Sequence, residues 1–329
     1  MMAADLPPAV DTVVVSAARL PTSVSDAAFS IVQIDPQALE TIQRVDEVLK
    51  TSPGVSLFRR VSSSGSNPTT QGVSVRDIAG SGAGRALVTM DGVPQNDPFG
   101  NWVMWTSLSP EALQGVSIVR GAGAGPYGAG ALTGVIDLQE KSSVNGGFIG
   151  DVSGSDLGAR RASVAASDKI DGVQFFGAAS AEDGDHWIPV RQGRGAADTD
   201  LTLEDWAASG KAIVDVGTAA LTAHVGGYRE QRASGIGLTA SAARGLDGSI
   251  TLAQQPTGKD LGWKLQGWVR AQTYWNTSPM GAIQAGWPAS QPRMAWCDAR
   301  LVSPSPERAA TTSWNTKIAQ PPLARVRRT

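Results

Sequence analysis

The alternation of apolar and polar residues over 147–275 most constrains the fold of this chain. Apolar Ala162, Val164 and Ala166 alternate with polar or small neighbours, and a period of two returns at 219–225 and 261–265. That period places every second side chain on one face of a β-strand. Segments of about ten residues are typical of a transmembrane β-barrel, and a soluble β-sandwich shares the alternation. The pattern predicts about six or seven strands and a long loop over 182–205.

Residues 21–145 have the pattern of a compact α+β domain. Asp35 before Pro36 is typical of the start of a helix, and apolar residues within 45–49 lie on one face of a second short helix. Alternation and turn residues predict strands over 30–35, 72–76, 86–93, 116–119 and 132–138, with a hairpin turn at Asp91-Gly92.

Composition excludes several classes of protein. The net charge of -2 argues against electrostatic binding of nucleic acid. The one cysteine, Cys297, excludes a disulfide framework, and two histidines, His186 and His224, argue against a histidine-based metal site. No apolar run approaches the roughly 18 residues that would predict a membrane-spanning helix.

No motif predicts catalysis. Gly123–Gly128 matches G-x-G-x-x-G, but Pro126 and the glycines that follow oppose the helix that a dinucleotide site needs. A turn between strands is the better interpretation of this segment. Neither histidine belongs to a nucleophile motif, and Asp91 is typical of a hairpin turn. We therefore predict no enzyme, no catalytic residues, no cofactor and no bound metal.

The segment 96–105 combines large aromatic side chains with hydrogen-bonding groups, which suits ligand recognition. The candidate ligand-binding residues are Asn96, Asp97, Phe99, Asn101, Trp102 and Trp105. An equally weighted alternative is that Trp102 and Trp105 pack into the core.

The two terminal segments differ from the rest. Residues 11–17 are β-prone and form either an edge strand, which the local pattern favours, or a peptide that adds to another protein's sheet. Residues 285–329 show no period and predict a non-barrel tail, either a disordered basic segment or a frameshift product. No secretory signal is visible at the N-terminus.

Three blocks in order resemble the TonB-dependent outer-membrane receptors. Residues 49–55 are similar to the family's L-x-x-x-P-G-V, and residues 87–94 are similar to its strand that ends in D-G-V-P. Residues 116–121 and 127–136 together are similar to its V-x-V-x-R-G and Y-G-x-x-A-x-x-G-V-I. A single block would be weak, but three in order make the resemblance specific.

The resemblance implies an N-terminal segment (1–20) with a TonB box, a plug domain (21–145), a partial β-barrel (146–284) and the tail (285–329). The implied fold class is an α+β plug domain followed by part of an antiparallel transmembrane β-barrel. The preference for an edge strand at the N-terminus is thereby reversed. The implied TonB box is Asp11, Thr12, Val13, Val14, Val15, Ser16 and Ala17.

The implied function is energised uptake of a scarce ligand, such as a siderophore or cobalamin, across the bacterial outer membrane. The implied partners are the periplasmic C-terminal domain of TonB, outer-membrane lipid and a small-molecule or metal-chelate ligand, with no nucleic acid. Arg76 and Arg120 would form buried ion pairs that latch the plug to the barrel wall. Two departures from the family pattern are Asp77 after Arg76 and Ser117 in place of an acidic residue.

The family's barrel has 22 strands, whereas about 185 residues follow the plug segment here. An unclosed sheet in lipid leaves backbone hydrogen-bonding groups unsatisfied. We therefore expect a truncated or frameshifted receptor chain. The alternatives are a non-functional receptor fragment, a soluble β-rich binding protein and, disfavoured, a nucleotide-dependent oxidoreductase.

Overall fold

The computed structural model describes most of the chain between residues 30 and 277. The described ranges are 30–59, 61–76, 84–98, 100–121, 130–155, 158–187, 189–255 and 262–277, with the backbone alone at 185–187 and 298–302. The predicted TonB box, Phe99, the glycine-rich segment 123–128 and Cys297 lie outside the described residues.

The first part of the described chain, residues 30–140, is an α+β unit that we call the plug. Its helices are α1 (Pro36–Glu40) and α2 (Val45–Thr51). Its strands are β1 (Ser30–Ile34), β2 (Val55–Leu57), β3 (Val73–Val75), β4 (Leu87–Met90), β5 (Val93–Pro94), β6 (Leu113–Arg120) and β7 (Gly134–Glu140). Five strands form one mixed sheet in the order β1-β6-β7-β4-β5, and β2 pairs with β3 separately.

Local chemistry explains the predicted helix start and hairpin turn, and both predictions are confirmed. The Asp35 carboxylate accepts a hydrogen bond from the Gln37 backbone N–H at 2.9 Å, with Pro36 at the first helical position. Between β4 and β5, Asp91 and Gly92 have φ values of 49° and 88°, the left-handed conformations that a tight hairpin turn requires.

The plug core lies between the two helices and the mixed sheet. Trp105, the largest of its fully buried side chains, is 1% exposed. It packs with aliphatic residues from the helices and strands, among them Leu49, Val88, Ile118 and Ile136. The segment that carries the tryptophan is therefore fixed to the centre of the plug.

Residues after the plug form one antiparallel sheet, which we call the wall. Its described strands follow one another in chain order and pair as neighbours, with β8 and β15 at the two edges. They are β8 (Phe148–Gly154), β9 (Arg160–Ile170), β10 (Val173–Trp187), β11 (Asp198–Val216), β12 (Ala219–Ile236), β13 (Ala240–Gln254), β14 (Gly262–Asn276) and β15 (Asp298–Val302).

One sequence prediction about the wall is wrong. The predicted loop over 182–205 is mostly strand, because β10 continues to Trp187 and β11 begins at Asp198, with Glu182 directly opposite Asp205. The turn-like Asp183-Gly184 is accommodated by an irregular register between Gly184 and Trp187. The tail also contributes a strand, because β15 pairs with β14.

The wall has two chemically distinct faces. Side chains that point away from the plug include exposed apolar residues on six strands: Phe148, Phe175, Trp206, Val225, Leu246, Ile250, Leu265 and Val269. Side chains at the alternate positions point toward the plug and are largely polar and buried. A sandwich would cover this inner face with a second sheet, whereas here the plug covers it.

No helix among the described residues is both long enough and apolar enough to cross a lipid bilayer.

Candidate functional site

The candidate ligand residues of segment 96–105 are mostly engaged within the protein. The Asn96 side chain accepts a hydrogen bond from the Val88 N–H at 2.7 Å and donates one to the Ala86 carbonyl at 3.1 Å. Trp105 lies in the plug core. Asn96 thus fastens the segment to β4, and Trp105 fills the core, which is the second of the two alternatives for that tryptophan.

The rest of the segment faces the wall. Asp97 is buried, accepts a hydrogen bond from the Gly100 N–H at 2.6 Å, and accepts another from Gln272 of β14. The Trp102 ring packs against Tyr274 with 5.7 Å between the ring centroids and 57° between the planes. Asn101 donates to the Gly84 carbonyl. Trp102 and Asn101 stay half-exposed, so they are the described candidates that a ligand could reach.

The predicted latch residues do not hold the plug to the wall in this structure. Arg120 donates to the Pro53 carbonyl inside the plug. Arg76 is exposed and adopts a positive φ of 68° at the end of β3. Among the described residues neither arginine forms an ion pair, and the ion pairs between plug and wall involve other side chains.

Arg44, which precedes α2, is a buried plug cation that contacts the wall. Its guanidinium bonds to Glu182 of β10 and lies 3.6 Å from an Asp205 carboxylate oxygen of β11. Burial alone would lower the pKa of Arg44, but the two carboxylates outweigh it and hold this pKa above its usual value. Arg44 therefore remains charged and joins the plug to two wall strands.

The cross-strand register explains why this cation is needed. Glu182 lies opposite Asp205, and Asp205 lies opposite Glu230, so three carboxylates sit side by side on the inner face. Like charges directly opposite each other destabilise a sheet. Arg44 comes from the plug and Arg232 from β12, and the latter binds Glu230 at 2.7 Å.

A second ion pair joins the start of β6 to β9. Glu111 forms a two-pronged pair with Arg161, with N–O distances of 2.7 and 2.8 Å. Burial alone would raise the pKa of Glu111, but hydrogen bonds from Arg161 and Ser109 outweigh it and lower this pKa from 4.5 to about 2. The geometry is the strong bidentate form of an arginine–carboxylate contact.

The Glu111→Gln variant is expected to lack the part of the stability that the wild type loses in acid. Because the folded-state pKa of Glu111 is depressed, its contribution is complete above about pH 4.5 and is lost as the pH falls toward 2. We expect the variant to be less stable by about 1.5–3 kcal/mol at neutral pH. The gap to the wild type should close in acid, as measured by urea unfolding across the pH range. Parallel pH curves for the two proteins would contradict this assignment.

The wall also holds the short 3₁₀ turn at Ser63–Gly65. Arg232 donates to the Ser63 carbonyl at 2.9 Å, while the Ser63 hydroxyl donates to Asp46 of α2 at 2.7 Å. Asp46 also pairs with Arg59 at 2.6 Å. One wall arginine is thus linked through a serine to the start of helix α2.

The Asp91-Gly92 turn inserts among three further wall side chains. Lys211 of β11 lies 3.2 Å from the Asp91 carboxylate. On β14, Lys264 and Gln266 donate to the Asp91 carbonyl at 3.0 and 3.2 Å. A Cβ added at Gly92 would lie 2.8 Å from the Lys264 ammonium nitrogen. Gly92 is therefore favoured by its left-handed backbone conformation, and an alanine there would also push aside the flexible end of the Lys264 side chain.

The Gly92→Ala variant is expected to lose about 1–2 kcal/mol from left-handed strain, and more from displacement of Lys264. Gly146→Ala is the matched control, because Gly146 has a similar φ of 75° but no atom within 4 Å of an added Cβ. Urea unfolding should show a larger loss for Gly92→Ala. Equal losses would mean that the contact with Lys264 contributes nothing.

Sequence reasoning missed the inner-face carboxylates and the cations that meet them. The available signal was the alternation itself, since Arg161, Glu182, Asp205 and Glu230 all fall on inward positions and lie opposite one another in turn. Within the described ranges no group of three or more His, Cys, Asp or Glu residues is arranged to hold a metal ion. The site is thus a polar interface between two parts of the chain.

Comparison with known proteins matches the plug to a defined family. Residues 23–135 match the family model of the TonB-dependent receptor plug domain. This matched segment, about a third of the chain, is similar to the plug domain of that family. A vitamin B12 transporter, BtuB of Vibrio vulnificus, is 30% identical over 135 residues, 40% of this chain and 21% of the relative. A hemin receptor of Yersinia enterocolitica is 27% identical over 180 residues, 51% of this chain and 25% of the relative.

Two solved receptors share the fold of both plug and wall. The siderophore receptor PirA of Acinetobacter baumannii superposes with a TM-score of 0.58 at 15% identity, covering 82% of this chain and 45% of that receptor. The alcaligin receptor FauA of Bordetella pertussis gives a TM-score of 0.56 at 17% identity, covering 75% and 39%. This chain therefore spans less than half the length of the solved receptors and about a quarter or less of the curated relatives.

Proposed function

We propose that this chain is the plug-bearing part of a receptor that takes up a scarce ligand across the outer membrane by TonB-dependent transport. The observation that carries the proposal is the seating of the plug on the polar face of an antiparallel sheet. The opposite face of that sheet is apolar. An apolar outer face suits lipid, and a polar inner face suits a plug that moves in a watery lumen.

A metal chelate is the ligand class that we propose. The similar proteins include a vitamin B12 transporter, a hemin receptor and a ferric enterobactin receptor of Pseudomonas aeruginosa, all named for metal-containing chelates. The half-exposed Trp102 and Asn101 offer an aromatic face and an amide to such a ligand. Asn96 and Trp105 support this surface from beneath.

We further propose that residues 11–17 bind TonB by strand addition. The segment Val13-Val14-Val15 is β-prone and lies ahead of β1, the edge strand of the plug sheet. Strand addition uses backbone N–H groups, and proline has none. A proline within the segment should therefore weaken binding.

The test is isothermal titration of the full chain, purified in detergent, with the C-terminal domain of TonB. Val14→Pro is expected to weaken binding at least about tenfold, the equivalent of one or two lost backbone hydrogen bonds. Ala3→Pro, outside the segment, is the control and should bind like the wild type. Binding that is absent in the wild type or unchanged in Val14→Pro would refute the proposal.

A further inference from the structure

His224 of β12 lies between a plug carboxylate and a wall carboxylate. Its Nδ1 is 3.1 Å from Glu140 at the end of β7, and its Nε2 is 3.3 Å from Asp247 of β13. The side chains of His224 and Glu140 are 9% and 1% exposed. The imidazole is thus a buried bridge from the wall into the last strand of the plug.

The geometry defines the protonation state of this ring. An ionised carboxylate only accepts hydrogen bonds, and a neutral imidazole has a single N–H to donate. Burial alone would raise the pKa of Glu140, but His224, Lys211 and Ser209 outweigh it and lower this pKa, so Glu140 is ionised. Nδ1 lies in a hydrogen bond with Glu140, while Nε2 lies at ion-pair distance from Asp247 but outside hydrogen-bond geometry, and a positive ring is favoured by a carboxylate at each nitrogen.

Other charged groups surround the bridge on every side. Lys211 of β11 lies 3.4 Å from Glu140 and also pairs with Asp91. Lys264 of β14 donates to the Asp91 carbonyl, and Arg270 of β14 interacts electrostatically with Asp247. Beside the ring is a cavity of about 10 Å³ lined in part by the buried Thr222, whose hydroxyl has no hydrogen-bond partner within the described part of the chain. This space accommodates about one water molecule, by which a proton can leave the ring.

We propose that His224 is a proton-controlled clamp between plug and wall: as an imidazolium it joins Glu140 to Asp247, and loss of its proton loosens this edge of the plug. A neutral imidazole can donate a hydrogen bond to one of the two carboxylates only. The other carboxylate then stays charged and buried with one contact fewer. Lys211 continues to bind Glu140, so the plug loosens locally and does not separate from the wall. The proposal concerns the plug–wall contact and does not depend on TonB or on any ligand.

The first test measures the protonation state of the His224 ring. The chain has two histidines, so nitrogen NMR of the full chain with ring-labelled histidine gives two sets of signals, which the His186→Asn variant assigns. We expect His224 to keep imidazolium shifts at about pH 8, well above the ordinary histidine range near 6.5. Neutral imidazole shifts for His224 at pH 7 would overturn the proposal. No substitution of the clamp is required for this measurement.

The second test measures local opening of the plug at its last strand. Amide hydrogen exchange of Gly134–Glu140 is measured as the pH is raised and compared with the plug strand β3, to cancel the chemical pH dependence of exchange. We expect relative protection of Gly134–Glu140 to fall about tenfold at the pH where the His224 signal titrates. In His224→Gln that step should be absent. A relative protection that stays constant while the ring titrates would refute the clamp.

Discussion

Replacing Arg44 with methionine is expected to lower the free energy of unfolding of the full chain by about 3–5 kcal/mol. The substitution keeps most of the side-chain length but removes the charge that lies between Glu182 and Asp205. Two adjacent buried carboxylates then lose their common counter-charge. Urea unfolding in detergent, followed by tryptophan fluorescence, measures the loss.

Two further variants separate this effect from a general loss of charge. Arg194→Met breaks an exposed pair with Asp200, in which the two side chains are 38% and 37% exposed, and should cost at most about 1 kcal/mol. Asp205→Asn in the Arg44→Met background should recover part of the stability, because one uncompensated carboxylate is removed. Equal effects of the Arg44 and Arg194 substitutions, or no recovery, would show that Arg44 does not neutralise the wall.

Trp105→Ala is expected to destabilise the plug by about 3–5 kcal/mol, because it opens a cavity at the centre of the core. Trp105 is 1% exposed and packs with residues of both helices and the mixed sheet. Unfolding of the plug should be monitored by hydrogen exchange of β6 and β7. These strands are among the most buried parts of the domain.

Trp102→Ala is the matched control for this prediction. Trp102 is half-buried and contacts Tyr274 at the wall, so its loss should cost less stability than the loss of Trp105. The contact between the two rings contributes about 1 kcal/mol in addition to the burial of apolar area. If the proposed ligand surface is correct, Trp102→Ala weakens binding of a metal chelate. A destabilisation by Trp105→Ala no larger than that of Trp102→Ala would contradict the core assignment.

Local features of this fold could be predicted from the sequence because neighbouring residues determine them. Asp35 and Pro36 define the start of α1 through a hydrogen bond that spans two residues. Asp91-Gly92 defines the β4–β5 hairpin through backbone conformation. Alternation placed most wall strands for the same reason, since a period of two depends on the strand alone.

The plug–wall contacts could not be predicted in this way. Arg44 and Glu182 are 138 residues apart, and nothing near either residue indicates the partner. The resemblance implies a latch at Arg76 and Arg120. In this structure Arg44 reaches the wall from the plug, and Arg161 and Arg232 reach the plug from the wall. Only the register between strands reveals that three carboxylates lie in a row and that a plug cation must meet them.

One wrong prediction and one open alternative arose from residue types with more than one use. Asp183-Gly184 is typical of a turn, yet here it continues a long strand through an irregular register, and the predicted loop shrank accordingly. The tryptophans of 102–105 were equally suited to ligand recognition and to the core. The structure assigns Trp105 to the core and Trp102 to the plug–wall boundary, a distinction that depends on tertiary packing.

The central claim is that the plug sits against one particular face of the wall, and cysteine cross-linking tests it most directly. Ala112 of the plug belongs to the same buried apolar cluster as Ala165 of β9, whereas Ala166, the next residue, is exposed on the other face. In a Cys297→Ser background, Ala112→Cys with Ala165→Cys should cross-link in high yield with a short bifunctional thiol reagent. Ala112→Cys with Ala166→Cys should not. Equal yields for the two pairs, or a higher yield with Ala166→Cys, would contradict the seating of the plug described here.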